Sequence, residues 1–502
     1  MKGIDRMIRK IGFDNEAYIK KQSEQIKKRI ADFGGKLYLE FGGKLFDDFH
    51  ASRVLPGFAP DSKLQMLKNI GHDVEIVIVI NAGDIENNKI RGDLGITYDS
   101  DVLRLTDAFR AIGLYVGSVV IAQFTGQPAA VLFKKKLEQL GMRVFMHCLI
   151  DGYPLNVKHV VSEQGFGKND YIETSRPLVV VTAPGPGSGK MATCLSQLYH
   201  EYGRGISAGY AKFETFPLWN VPLKHPVNLA YEAATADLQD VNMIDPYHLE
   251  AYGVTTVSYN RDVEVFPVVN AIFEHIEGQS PYKSPTDMGV NMVGYCITDD
   301  EVVRQASKDE IIRRYFSILC DRRNGRCTDE VVEKISIVMK QAGVCTDDRA
   351  VVTYALERSL QTEGQPAVAI ELPDGRVITG KTSTLLGSSA AALLNAVKTL
   401  GGIEKATHLI DPVVIEPIQK LKIEMLKNRN PRLHSDEVLI ALSISAAGNK
   451  AAMQGVQCLA ELRGCEAHST VILSQADQDT YRKLGINLTC EPKYQTKKFY
   501  HG

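Results

Sequence analysis

Apolar positions along the chain change period repeatedly, and each change marks an element. Residues 14–33 place apolar side chains three and four apart, with Lys20, Lys21, Lys27, Lys28 and Arg29 between them. That is the pattern of an amphipathic helix with a solvated basic face. Residues 36–41 switch to a short apolar strand closed by Gly42, Gly43 and Lys44. Residues 75–81 (Glu-Ile-Val-Ile-Val-Ile-Asn) are almost continuously β-branched, as in a strand covered on both faces, and they run into Ala82, Gly83 and Asp84. The alternation continues with helices over 62–70, 99–112 and 128–140 and strands over 117–123, 143–148, 178–183 and 205–212. Five or six strands interleaved with helices predict an α/β fold built on a doubly wound, mostly parallel sheet.

Beyond residue 212 the pattern loosens into a stretch rich in aromatics and prolines (212–228), which reads as a structured functional loop, and then a helix over 231–240. Residues 264–362 turn mainly helical, with helices over 264–276, 299–319, 328–342 and 346–361. Arg313, Arg314, Arg322, Arg323 and Arg326 there form a basic cluster, either a solvated ion-pairing face or a phosphate or partner site. Two short apolar runs around Pro373, Asp374 and Gly375 predict a hairpin. An alanine-rich helix over 388–400 follows, then helices over 412–428, 435–445 and 450–463, a strand over 468–474 and a helix over 477–484. The expected organisation is a Rossmann-like, P-loop-like α/β domain (1–262), a helical region (263–363) and a smaller C-terminal α/β domain (364–502). Three domains is also what a length of 502 residues suggests.

Composition narrows the function classes. A net charge of −2 argues against nucleic acid or an anionic membrane as partner, and no apolar run reaches membrane-spanning length. The amino-terminal segment lacks the apolar core of a signal peptide, so a cytoplasmic protein is expected. The nine cysteines form no C-x-x-C pair and the twelve histidines no H-x-x-H pair, which predicts reduced thiols and no metal site.

The chemistry concentrates where residues 178–183 meet Pro184-Gly185-Pro186-Gly187-Ser188-Gly189-Lys190 and a helical pattern follows to about residue 202. Strand, glycine loop and helix together suit a phosphate: backbone N–H groups freed of Cβ close around its oxygens, and a lysine adds a charge. Gly189 and Lys190 fit the pattern G-x-x-x-x-G-K-[ST], while Pro184 holds its first glycine position and Met191 the place of the magnesium-binding hydroxyl. The alternative is a tight strand-to-helix turn with a solvated lysine. Gly42, Gly43 and Lys44 form a second candidate ligand loop, with Asp47, Asp48, His50 and Arg53 close behind. Asp84, at the end of a buried strand, stands where a catalytic or metal-binding carboxylate or a loop cap would stand.

Three resemblances bear on these residues. The segment 178–214, with Lys190 after its glycine loop and Gly209-Tyr210-Ala211-Lys212 on the next strand, is similar to the dethiobiotin synthetase group of P-loop enzymes. The resemblance implies that Lys190 holds phosphates and that Lys212 faces the reacting centre. The hairpin and small-residue helix after residue 364 resemble the deaminase scaffold, but Ser388-Ser389-Ala390-Ala391 stands where zinc ligands would be expected and the H-x-E and P-C-x-x-C elements are absent. A zinc deaminase is therefore rejected. Nearly the whole chain resembles a bacterial family of proteins of this length described as a domain of unknown function, through EFGGKLFDDFHASRVLPGF, TAPGPGSGKMATCLSQLYHE and KFETFPLWNVPLKHPVNLAYEAATADL. It implies a cytosolic, multidomain, self-associating homo-oligomer.

The expectation is a cytosolic enzyme that binds a phosphate-bearing small molecule, ATP or GTP foremost, for ligase- or transferase-type chemistry. Gly185, Gly187, Ser188, Gly189 and Lys190 would hold the phosphates, with Gly42, Gly43 and Lys44 at a neighbouring strand end. Lys212, Glu214 and Asp84 would carry the chemistry, and Mg²⁺ is left open by Met191. The alternative is a nucleotide or phosphometabolite sensor without turnover.

Overall fold

The computed structural model describes residues 10–43, 45, 46, 48–91, 94–238 and 240–495. The chain divides into two compact units, one of residues 11–232 and 239–307, the other containing 233–238 and the chain from 308 onward. The boundary at 307/308 falls within the helix Asp300–Arg323, so the helices expected to form a middle region belong partly to each unit.

The larger unit is built on a seven-stranded sheet. Its strands are β1 (Leu37–Phe41), β2 (Val74–Asn81), β3 (Tyr115–Phe124), β4 (Val144–Cys148), β5 (Leu178–Thr182), β6 (Gly209–Phe213) and β7 (Gly289–Val290). They lie in the order β7-β6-β1-β5-β2-β3-β4, and all six pairings are parallel. The chain winds outward from β1 through β2 and β3 to β4. It then returns to place β5 in the gap between β1 and β2, and continues across β1 to β6 and β7. Its direction of winding therefore reverses at β5, which is also the central strand of the seven.

Burial on both faces explains the near-continuous apolar strands. Ile76, Ile78 and Ile80 of β2 are as fully buried as the alternating Val77 and Val79. Five helices matter for the site: α1 (Asn15–Asp32), α2 (Ser62–Ile70), α3 (Tyr98–Ala111), α4 (Lys190–Gly203) and α5 (Asn260–Glu277). On one face, Leu195 and Leu198 of α4 and Phe266, Val269 and Phe273 of α5 share a core with Tyr38, Val79, Val181 and Tyr210 of the strands. The helix α3 packs on β2 and β3.

The second unit holds a four-stranded sheet of β8 (Ala367–Glu371), β9 (Val377–Lys381), β10 (Glu466–Ser469) and β11 (Asn487–Cys490) in the order β9-β8-β10-β11. Strand β8 is antiparallel to both neighbours, and β10 and β11 are parallel. Helices α6 (Ala350–Leu360), α7 (Ser388–Leu400), α8 (Ser435–Ser445) and α9 (Gln475–Leu484) belong to it. No helix among the described residues is long and apolar enough to cross a membrane.

Several expected elements shift. The helix expected over 231–240 is Pro226–Ala234, ended by a short tight turn at Ala236–Leu238. The strand expected over 468–474 is β10, because the ladder to β8 pairs Ser469 with Val368 and stops there, leaving the apolar run 471–473 outside the sheet. The helices expected over 412–428 and 450–463 regularly span Pro412–Lys420 and Lys450–Gln457, each continued by an irregular turn. The seventh strand, β7, is two residues long and carries no periodic pattern.

Candidate functional site

A wholly parallel sheet brings every strand's carboxyl end to one edge, and in open sheets that edge receives ligands where the winding reverses. Here that position belongs to β5 and to the glycine loop that leaves it.

The loop is shaped by its glycines and closed by its serine. Gly189 has φ +93°, a left-handed conformation that side chains oppose, and it starts α4. Gly185 is needed for a different reason: a Cβ there would lie 2.2 Å from the hydroxyl of Tyr98, at the start of α3. Two carbonyls are turned inward. Gly185 O accepts from Ser188 Oγ at 2.7 Å, and Gly187 O accepts from Asn81 Nδ2 at 3.4 Å. The N–H groups are left over. Among the described residues, no protein acceptor takes the backbone N–H of Gly185, Gly187, Ser188, Gly189, Lys190, Met191 or Ala192. An N–H sequence of this kind at a helix start is a concave donor surface with the positive end of the helix behind it.

The neighbouring strand ends lean on this loop. At the end of β2, Asn81 caps the turn Ala82–Glu86 through Gly83 N and also bonds Gln123 Oε1 at 3.1 Å. Gln123, near the end of β3, has φ +56°, an unfavourable conformation for a residue with a side chain. Asp84 lies in the same turn. Its Oδ1 is 3.1 Å from Lys89 Nζ, whereas its Oδ2 is buried and accepts nothing. Lys89 in turn sits 4.9 Å from the centre of the Tyr98 ring.

Two strands away, the end of β6 carries a buried charge cluster. Lys212 Nζ donates to the hydroxyl of Tyr259 and to Asp262 Oδ2, and lies 3.6 Å from Glu214 Oε1. All three acidic or basic side chains are nearly enclosed. Desolvation opposes the Lys212 charge, but Asp262, then Tyr259, Glu214 and Glu40, hold its pKa well above the usual lysine value. Burial first, and the nearby Asp262 charge after it, push the Glu214 carboxyl upward against the pull of Lys212. The ladder places Glu40 of β1 beside Val181 on one side and Lys212 on the other. Glu40 accepts from the Tyr210 hydroxyl at 2.7 Å. The buried thiol of Cys194, in the second turn of α4, feels both Glu40 and Lys190. Glu40 and Cys194 thus bring the loop lysine and the strand lysine into one electrostatic neighbourhood.

At the end of β1, Gly42 lies under the carbonyl of Phe213, and Gly43 has φ +72° with the Lys63 ammonium 3.8 Å from where its Cβ would be. Lys63, from α2, is buried and pairs with Asp48 at 2.7 Å, which together with a capping bond from Ala51 N holds the Asp48 carboxyl below its ordinary range despite burial. Lys44 and Asp47 lie outside the described residues.

Apart from Lys44, the site residues proposed from the sequence therefore fall at the ends of β1, β2, β5 and β6, all on one edge. What the sequence does not point to are their partners: Asp262 and Tyr259, Lys63, Lys89, Tyr98, Asn81 and Gln123. Asp262 sits in the first turn of α5, so a domain boundary at 262/263 falls inside that helix. A first-turn aspartate in a helix entered from a tyrosine-ended strand is the one signal available for it. Among the described residues no group of three or more His, Cys, Asp or Glu side chains is arranged to hold a metal ion.

The chain belongs to the family described as "Domain of unknown function DUF1846": its N-terminal model matches residues 11–343 and its C-terminal model residues 347–500. A UPF0371 protein of Streptococcus thermophilus is 57% identical over 493 residues, covering 98% of this chain and 100% of that protein. A UPF0371 protein of Streptococcus pyogenes serotype M5 is 56% identical over 490 residues, covering 98% and 99% respectively.

Proposed function

We propose that the carboxyl edge of the seven-stranded sheet binds a phosphate-bearing small molecule, a purine nucleotide such as ATP or GTP foremost, and uses it in ligase- or transferase-type chemistry. The observation that carries this reading is the set of backbone N–H groups from Gly185 to Ala192 that no protein group among the described residues accepts, at the end of the strand where the winding reverses. In this reading Gly185, Gly187, Ser188 and Gly189 cradle the phosphate and Lys190 neutralises it. Lys212, held charged by Asp262, faces the developing negative charge of the reacting group. Glu214, whose carboxyl is pushed up by burial, is poised to move a proton near neutral pH. Asp84, with one buried oxygen unoccupied, is the remaining candidate for contact with the reacting centre.

A second reading, a sensor that binds the same ligand without turning it over, is favoured by Met191, which stands where a magnesium-binding hydroxyl would be. The two part on turnover and share the loop.

Thermal unfolding of the full chain with ATP, GTP, inorganic phosphate and pyrophosphate, with and without Mg²⁺, tests the reading. A ligand that binds only the folded protein raises Tm as its concentration exceeds Kd. The expected result is a rise with at least one nucleotide that is lost in Lys190→Ala. A rise that persists in Lys190→Ala removes the loop assignment, and no rise with any phosphate compound leaves the loop as a structural turn. Release of phosphate or diphosphate by the wild type separates enzyme from sensor.

A further inference from the structure

One cation at the ligand edge has no part in the loop reading so far. Lys89 follows the turn that closes β2, and β2 is the direct neighbour of β5. Its ammonium is 3.1 Å from Asp84 Oδ1 and 4.9 Å from the Tyr98 ring centre, and its side chain is 43% exposed. The Tyr98 hydroxyl occupies the space a side chain on Gly185 would need. One aromatic ring therefore separates Lys89 from the glycine loop. Asp84 holds Lys89 through one oxygen only, while its other oxygen is buried without a donor. A single-oxygen, half-exposed ion pair is weak and readily exchanged.

The loop also lacks a counter-charge. With Met191 in place of the hydroxyl that would hold magnesium, Lys190 is the single cation on the loop itself. A di- or triphosphate carries several negative charges, and one lysine with a row of N–H groups answers only some of them.

We propose that Lys89 is the second cation of the phosphate site, leaving Asp84 for the outer phosphate of a metal-free di- or triphosphate. This rests on the loop reading above and names the charge state of its ligand. Tyr98 lies between the ammonium and the loop, and Asp84 competes with the anion for Lys89. Asp84 thus weakens binding, the opposite of what a metal-ligating carboxylate would do.

The test is titration of the full chain with inorganic pyrophosphate in the presence of a chelator, followed by calorimetry, for wild type, Lys89→Met, Lys89→Arg, Asp84→Asn and Lys190→Ala. Wild type is expected to bind without Mg²⁺. Lys89→Met is expected to lose about tenfold in affinity or more, the usual loss for a charge-assisted hydrogen bond. Lys89→Arg is expected to retain most of the affinity, and Asp84→Asn to bind more tightly than wild type, a gain that misfolding does not produce. If Lys89→Met binds as wild type does while Lys190→Ala does not, Lys89 has no such role and the loop reading stands. Binding that appears only with Mg²⁺, or weaker binding by Asp84→Asn, also overturns the proposal while leaving the loop. Absence of binding by every variant and by wild type, with and without Mg²⁺, removes both.

Discussion

Asp477 in the C-terminal unit and the loop 185–192 in the larger unit are both polar centres at helix starts, and the protein treats them in opposite ways. Asp477, in the first turn of α9, accepts through Oδ1 from Ser389 Oγ at 2.8 Å, Ser435 N at 2.8 Å and Ser435 Oγ at 2.7 Å. Through Oδ2 it meets His434 Nδ1 at 2.9 Å and Ser474 Oγ at 2.6 Å. One carboxylate thereby joins the starts of α7, α8 and α9, and every bond it can make is made within the chain. Among the described residues, seven N–H groups between Gly185 and Ala192 in the loop of the larger unit have no protein acceptor. A filled centre rigidifies a fold, because each lost partner strands several others. An open one offers its donors to water or to a ligand, and it stands here at the strand end where the winding reverses, the place at which open sheets receive ligands.

The comparison breaks first at Asp477. Asp477→Ala should cost about 3–5 kcal/mol, since it removes a buried charge and leaves the donors from Ser389, Ser435 and His434 without an acceptor. Urea unfolding measures this, and pyrophosphate affinity of the folded variant should be unchanged. The pH dependence has two signs. Hydrogen bonds from His434, Ser474 and Ser435 outweigh desolvation and hold the Asp477 carboxyl far below its ordinary range. Its contribution is therefore complete above about pH 4, its unfolded value, and fades as the pH falls below that. The hydrogen bond to Asp477 raises the His434 pKa, so that contribution is complete below about pH 6.5 and fades as the pH rises through the folded value. Stability from this pair should peak between the two.

The Lys212 cluster is the harder case, because it shares features of both centres. Like Asp477 it is enclosed and ion-paired, yet it lies on the edge where the loop stands open. Lys212→Met should cost about 3–5 kcal/mol by leaving Asp262 buried without its cation. Replacing both partners, Lys212→Met with Asp262→Leu, should recover much of that loss, as apolar replacement of a buried pair commonly does. If the double variant regains stability and keeps full ligand response and turnover, the cluster is a structural pair and the comparison puts it beside Asp477. Regained stability with lost turnover places it with the loop.

How much of this was legible follows from how local each signal is. Strand β2 and the helix that opens at Lys190 announce themselves, because an unbroken run of eight residues carries the pattern of the one and fourteen that of the other. The glycine loop is visible for the same reason: glycines and a lysine within one short stretch specify its backbone. Lys212 and Glu214 are found by their place at the end of the next strand, beyond the helix that the loop opens. Asp262 is not, since it reaches Lys212 across 50 residues of chain and nothing in its own helix marks it out. Lys63 reads as a surface lysine in a polar helix, and only the fold buries it against Asp48. Strand β7 is too short for any period, and the apolar run 471–473 outcompetes the polar Glu466–Ser469 that the ladder selects. Pairing partners, unlike periods, are properties of the folded chain.

A pH profile sharpens the comparison most finely, because it separates a carboxyl kept protonated by burial from one kept ionised by donors. The Glu214 carboxyl is pushed up to about 8, by burial first and by Asp262 after it. A carboxyl raised on folding holds its proton more tightly in the folded chain. Its contribution to stability is complete below about pH 4.3, the unfolded value, and is lost as the pH climbs through 8. This is the reverse of Asp477, whose contribution is lost on going to acid. Glu214→Gln keeps the shape and removes the proton. Its urea midpoint should therefore fall less than that of wild type between pH 5 and pH 8.5, while at pH 5 the two should nearly coincide. Parallel curves would mean that Glu214 is ionised throughout and paired with Lys212, which would class it with the filled centres. A ligand phosphate on the open edge should deepen the difference. A nearby negative charge raises the Glu214 pKa further, and the slope of the wild-type curve should then persist to higher pH with pyrophosphate than without it.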